Sequence, residues 1–172
     1  DYKVTSQTRD GLLRGSLTLN YNHTGKDMSW PGGPYKNYVR ILVQKGSKLT
    51  GATIQFGDKI PMSVMDKVIV SNIGAYDSFE YLFTLNPTDN STLVINYDLP
   101  TRLSLSKSAK DYGLLWQKQP GTQDDEVSFE FTPPFGMEIS EYSSNIKQNE
   151  KVTNNSFSDI LNTDKRFNIL MR

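Results

Sequence analysis

Cysteine is absent from this 172-residue chain, and histidine occurs once. Without a thiol there is no disulfide framework, no thiolate zinc site, no iron–sulfur cluster and no cysteine nucleophile. With one imidazole, a serine-type triad has a single possible base, His23, and no Gly-x-Ser-x-Gly elbow is present to place a nucleophile beside it. Excess charge is lacking too. Nineteen basic side chains balance 19 acidic ones, which leaves no electrostatic footprint for nucleic acid or an anionic membrane. Apolar runs such as Ile41-Leu42-Val43 and Leu93-Val94-Ile95 fall far short of the roughly 20 residues a spanning helix needs. Asp1-Tyr2-Lys3-Val4 has neither the basic stretch and apolar core of a signal peptide nor an initiating Met, which reads as an excised fragment or a processed chain. Phosphate-loop and dinucleotide fingerprints are missing as well. No cofactor and no metal are expected.

What the chain does have is length enough for a core and a strong period of two. Surface scaling gives roughly 8,500 Å² folded against roughly 28,000 Å² unfolded, so about 70% of the surface can be buried without help from a metal or a crosslink. Alternation of apolar and polar residues puts one strand face on a core and the other in water. Leu17, Leu19 and Tyr21 follow it, as do Phe79, Tyr81, Phe83 and Leu85, then Leu93, Ile95, Tyr97 and Leu99, then Val127, Phe129 and Phe131. Shorter candidates rich in β-branched or aromatic residues are Tyr38 to Val43, Thr53 to Phe56, Val68 to Val70, Gly113 to Trp116 and Met137 to Ile139. Turn residues punctuate at Lys45-Gly46-Ser47, Asn86-Pro87-Thr88-Asp89-Asn90, Gln119-Pro120-Gly121 and Thr132-Pro133-Pro134. Helical periodicity is absent apart from a possible turn or two within Asp66 to Ile73. Strands without intervening helices predict an all-β, antiparallel β-sandwich, immunoglobulin-like or related, of about eight to ten strands. Residues 1–172 read as one domain, closed by a terminal hairpin at about 157–171 whose Phe167, Ile169 and Met171 need burial.

Chemistry is sparse. His23 lies in Asn20-Tyr21-Asn22-His23-Thr24-Gly25, where a strand enters a loop, and reads as an exposed or locally hydrogen-bonded imidazole unless a nucleophile is brought to it. Asp124-Asp125-Glu126 offers three carboxylates in a row, but strand neighbours point to opposite faces, so the run shields a strand entrance more readily than it makes a glycosidase pair or a calcium loop. The most unusual local composition is Lys26-Asp27-Met28-Ser29-Trp30-Pro31-Gly32-Gly33-Pro34-Tyr35. There Pro and Gly fix a path while Trp30 and Tyr35, with Tyr38 just beyond, offer faces that stack on a sugar ring or anchor a protein. The competing reading has Trp30 folded back to cap the sandwich edge. Asn22, Asn90 and Asn154 head Asn-x-Ser/Thr triplets, which are glycan acceptors only in a glycosylating source.

Three stretches carry a resemblance: Trp30 to Ser47, with its Tyr-Lys-Asn-Tyr-Val-Arg strand; Ile95-Asn96-Tyr97-Asp98-Leu99-Pro100; and Tyr112 to Gly121, ending Lys-Gln-Pro-Gly. Their order resembles the C-terminal region of large, membrane-anchored bacterial envelope proteins of a family of unknown function, domain-of-unknown-function family 4012. The resemblance spans roughly residues 15 to 135. It departs at Gln44, where the family pattern has proline before the Lys-Gly-Ser turn. It implies an extracytoplasmic location and a parent anchored through other sequence, and carries no catalytic residue across. The expectation is a noncatalytic interaction or structural module at the bacterial cell surface, with a protein or glycan partner and without nucleic acid or membrane contact of its own. The alternative is a carbohydrate-binding module using the Trp30/Tyr35 loop, with Tyr38 beside it. A third is an enzyme built on carboxylates from separate loops, such as Asp27, Asp89 and Asp124.

Overall fold

The computed structural model describes residues 1–6, 11–29, 32–103, 110–119, 124–145 and 155–172. Among these residues the chain is all-β, consistent with a β-sandwich, and the one helical element is a single 3₁₀ turn, Met65–Lys67. The strands are β1 Tyr2–Ser6, β2 Leu12–Asn22, β3 Tyr35–Gln44, β4 Lys48–Phe56, β5 Met62–Ser63, β6 Ile69–Ile73, β7 Tyr76–Leu85, β8 Asn90–Arg102, β9 Lys110–Trp116, β10 Asp125–Thr132, β11 Ile139–Ser144, β12 Ser156–Leu161 and β13 Lys165–Met171. Thirteen among the described residues exceed the eight to ten expected, because strands as short as β5 and the opening strand β1 carry too few residues for alternation to mark them.

The strands gather in two compact units, one of residues 15–100 and one of residues 1–14 with 101–172; β2 and β8 run through the boundaries. In the 15–100 unit, one sheet has the order β2-β8-β4-β5 and the other the order β3-β7-β6. β3 and β7 pair antiparallel without a break over ten residue pairs, from Tyr35↔Leu85 to Gln44↔Tyr76. Phe79, Tyr81, Phe83 and Leu85 of β7 are buried on one face. They meet β2, β4 and β8 through edge-on aromatic contacts: Phe79 with Tyr97 at 5.6 Å, Phe83 with Tyr21 at 5.1 Å and with Phe56 at 6.5 Å between ring centroids. Such contacts favour one packing over its alternatives, because the ring quadrupoles prefer edge-to-face geometry. Gly15 is dictated by this core: a Cβ there would lie 2.6 Å from Cζ of Tyr97.

In the other unit, β10 lies between β12, antiparallel, and β1, parallel. Asp125 and Glu126 therefore open a central strand, where an edge-shielding role does not apply. A second sheet has the order β11-β13-β9, antiparallel throughout. Side chains of Tyr2, Tyr112, Phe129, Phe131, Phe157 and Phe167 form its aromatic core, with Phe129 within 6.2 Å of Tyr2, Tyr112, Phe157 and Phe167. Burial pushes the Tyr112 hydroxyl up to about 12, with Tyr2 as its hydrogen-bonding neighbour. Both strands expected of a terminal hairpin exist, but they do not pair with each other: β12 joins β10, while β13 joins β11 and β9. The reason is side-chain packing. Phe157 and Phe167 pack against each other with tilted rings, 5.6 Å between centroids, so Asn162-Thr163-Asp164 turns the chain from one sheet to the other and both strands point apolar residues inward.

Candidate functional site

Two features of the 15–100 unit combine polar chemistry with accessible surface. The first is a pocket of about 460 Å³ lined by Tyr21, Asn22, His23, Thr24, Gly32, Gly33, Pro34, Tyr35 and Leu85. His23 is its structural hinge. The Gly25 N–H donates to Nδ1 at 3.0 Å, and Nε2 lies 2.9 Å from the Gly33 carbonyl oxygen. An amide N–H can only donate, so Nδ1 must be the bare nitrogen and Nε2 must carry the proton given to Gly33. Both nitrogens are thereby occupied in tying the start of the loop to its end, and neither is turned to a nucleophile. Backbone bonds from His23 to Asp89 and from Thr88 to His23 fix the imidazole's own residue. Tyr35 stands edge-on to the ring at 6.3 Å. Burial raises the Tyr21 hydroxyl to about 12, against a smaller lowering by its hydrogen bond with Asn37.

The second feature is the outer face of the β3-β7-β6 sheet. Cross-strand partners share a face, so the pairs Tyr38↔Leu82, Arg40↔Glu80, Leu42↔Ser78, Ile69↔Glu80 and Ile73↔Tyr76 put these side chains together, opposite the aromatic core. At the centre is Glu80, only 6% exposed. Its carboxylate accepts from Ser71 Oγ at 2.6 Å and from the Tyr38 hydroxyl, and Arg40 Nε lies 3.5 Å away. These donors, Ser71 first and Tyr38 next, hold the Glu80 carboxyl below the usual carboxylate range, while accepting Glu80 raises the Tyr38 hydroxyl. Glu80 is thus an anion and Tyr38 a neutral phenol at neutral pH. The phenol O–H donates to Glu80, and the carboxylate oxygens accept from Tyr38 and Ser71, so these groups satisfy one another within the sheet. Around this tied-down carboxylate the face is apolar and open: Leu82 is 61% exposed, Ile69 57%, Tyr76 53%, Tyr38 48% and Leu42 47%.

The candidate residues named from sequence distribute as follows. Trp30 lies outside the described residues, with Pro31. Tyr35 rims the pocket. Tyr38 sits on the outer sheet face, since residues three apart on an unbroken strand point to opposite sides. Tyr35 and Tyr38 are therefore two separate surfaces and share no stacking platform. Asp27 is held in a local turn by Ser29, whose hydroxyl and amide donate at 2.6 and 2.9 Å and lower its carboxyl. Asp89 belongs to the same unit as Asp27, and Asp124 to the other. Among the described residues no three of His, Asp and Glu gather as a metal cage, and no helix is long and apolar enough to cross a membrane. Sequence reading missed Glu80 and its apolar surround. The signal was there in Tyr81-Leu82-Phe83 and Ile41-Leu42-Val43, where unbroken apolar runs replace the alternation of a strand with one wet face. No protein-family model matches the chain, and no curated protein matches it.

Proposed function

We propose that this chain is a noncatalytic interaction module of a bacterial cell-envelope protein, and that it binds a protein partner through the outer face of the β3-β7-β6 sheet. The observation that carries this reading is the open apolar face around Glu80: contiguous exposed apolar surface with a few fixed polar groups is what protein-binding surfaces present, and what isolated folded chains avoid. The extracytoplasmic setting is supported by the order of the Trp30-to-Ser47, Ile95-to-Pro100 and Tyr112-to-Gly121 stretches, which resemble anchored envelope proteins. The test compares the immobilised chain with a Tyr76→Lys/Leu82→Lys variant for retention of a defined envelope protein, followed by binding of the two purified components. Retention by the native chain and its loss in the equally stable variant is the expected result. Equal retention by both, or hydrolase or transferase turnover by the purified chain, overturns the reading.

A second reading has one observation in its favour. Tyr35 and Pro34 offer faces beside the polar groups of Asn22 and Thr24 in a pocket large enough for a sugar ring. As a carbohydrate-binding module, the chain would give glycan-array signals that vanish with Tyr35→Ala. An array silent for the native chain removes this alternative.

A further inference from the structure

The β3-β7-β6 sheet has two ends, and they differ. β6 is five residues long; β3 is ten, and among the described residues no strand pairs with its outer side. On an edge strand the N–H and C=O groups of alternate residues point away from the sheet, a template about 30 Å long for the nine residues from Tyr35 to Val43. Folded proteins blunt such edges with proline, a bulge or a very short strand. β3 contains no proline, and its register with β7 runs without a shift. Its charges are of one sign. Lys36 and Arg40, four residues apart on one face of the strand, are cations, Lys45 follows in the turn, and no acidic residue occurs between 35 and 45.

That pattern selects among occupants. A second copy brings the same cations, and antiparallel pairing centred on Tyr38 sets Lys36 directly opposite Arg40, a repulsive arrangement. A strand carrying carboxylates meets the opposite situation. The occupied side of β3 already displays the match, because Arg40 stands opposite Glu80 of β7 with 3.5 Å between Nε and Oε1. On the open side Tyr38 and Leu42, both about half exposed, alternate with the two cations and would take apolar side chains from the incoming strand.

We propose that the open edge of β3, from Tyr35 to Val43, accepts an extended segment of a partner protein whose residues on one face, every second one along its sequence, are by turns acidic and apolar, paired as a further strand of the sheet. Main-chain hydrogen bonds supply the attachment, Lys36 and Arg40 select the carboxylates, and Tyr38 and Leu42 fix the register. This rests on the protein-binding reading of the same sheet and adds the class of partner.

The experiment uses the full chain and the capped nonapeptide Thr-Val-Thr-Glu-Thr-Val-Thr-Glu-Thr (the Glu peptide), which paired antiparallel with residues 35–43 sets Glu opposite Lys36 and Arg40 and Val opposite Tyr38 and Leu42, with the same peptide carrying Lys in place of Glu as its counterpart. Expected are slowed amide exchange at residues 35–43, roughly tenfold tighter binding of the Glu peptide from two screened ion pairs, and a smaller preference in Lys36→Glu. Strand addition has its own signature: N-methylation of one alternate set of peptide residues abolishes binding, while methylation of the other set is tolerated. Equal binding of the two peptides overturns the proposal. So does undiminished binding of both methylated series, which marks adhesion by charge alone, or protection of 35–43 that grows with protein concentration without peptide, which marks a second copy at the edge. Failure here with partner retention still lost in Tyr76→Lys/Leu82→Lys leaves the face-binding reading standing and removes strand addition alone.

Discussion

The Tyr38 hydroxyl of β3 donates across the ladder to the carboxylate of Glu80 on β7, on the solvent side of a sheet whose other side is an aromatic core. Ser71 donates to the same carboxylate from β6, so one side chain ties all three strands together. The folded state lowers the Glu80 carboxyl from its ordinary value. A depressed carboxyl contributes stability that is fully present above the unfolded value, about 4.3 for Glu, and is lost as pH falls through the folded value. Thermal melts of the native chain and Glu80→Gln should therefore differ most above about pH 5 and converge toward pH 2, the native chain being the more stable. A gap independent of pH would show that the carboxylate's charge is not what the donors recognise.

Asp77 adds to the same acid sensitivity from the opposite face. It accepts from the Gly46 amide at 2.6 Å and from Asn72 at 3.0 Å, and these, the Gly46 bond foremost, lower its carboxyl. The bond to Gly46 holds the β3–β4 turn, where Gly46 has a φ of +93° that side chains disfavour. In Asp77→Asn, amide exchange at Gly46 should quicken while the aromatic core stays protected. Exchange at Gly46 unchanged by the substitution would mean the turn is held by Ser47, whose amide and hydroxyl both donate to the Gln44 carbonyl.

Gly15 tests the packing of the core. A methyl group at this position meets the Tyr97 ring at 2.6 Å, on buried side chains with little room to move. Gly15→Ala should lower stability by about 1–3 kcal/mol in urea titrations, the usual cost of overpacking. Combined with Tyr97→Leu, the added cost should largely disappear, because the obstructing ring is gone. Strict additivity of the two changes would contradict the contact.

Lys165 and Asp159 form a deeply placed ion pair, with Nζ and Oδ2 2.7 Å apart and the lysine only 6% exposed. The Asp159 carboxyl is lowered overall, although its desolvation works the other way, through the Lys165 bond and the Ile160 amide. Removing the acid alone strands an ammonium beside the core, whereas replacing both partners by apolar residues does not. Asp159→Leu should cost about 2 kcal/mol, and Asp159→Leu with Lys165→Met distinctly less, in denaturant titrations. A double variant no better than the single one would show that Lys165 reaches water in the native state.

The class of fold was legible because β8 and β10 keep strict alternation, which only a strand with one buried face requires. The β12–β13 connection was misread for a physical reason: Asn162-Thr163-Asp164 suits a hairpin and an arch equally, and what separates them is whether Phe157 and Phe167 pack against each other between the sheets, a tertiary fact. β1 escaped notice because it offers only Tyr2 and Val4 as buried positions and pairs with β10, more than 100 residues distant in sequence. Tyr38 was singled out for its aromatic face, yet its place beside Glu80 depends on the β3–β7 register, which no local pattern encodes.

His23 supplies the last prediction, since its two hydrogen bonds dictate a proton position. Gly25 N–H points at Nδ1 and the Gly33 carbonyl at Nε2, so the neutral ring must be protonated on Nε2. Nitrogen-detected spectra of the imidazole should show that tautomer, with a slowly exchanging Gly25 amide. His23→Ala, which removes the acceptor at one end of this clamp, should quicken exchange at the Gly25 amide while the sheets stay protected. The pocket walls contributed by Gly32, Gly33 and Pro34 depend on the same clamp. If the chain binds glycans at Tyr35, His23→Ala must weaken that binding although the imidazole touches no sugar, and restoring one acceptor with His23→Asn should recover part of it. An Nδ1-protonated ring in the spectra would show that the Gly25 N–H does not bond to His23 and that the clamp is absent.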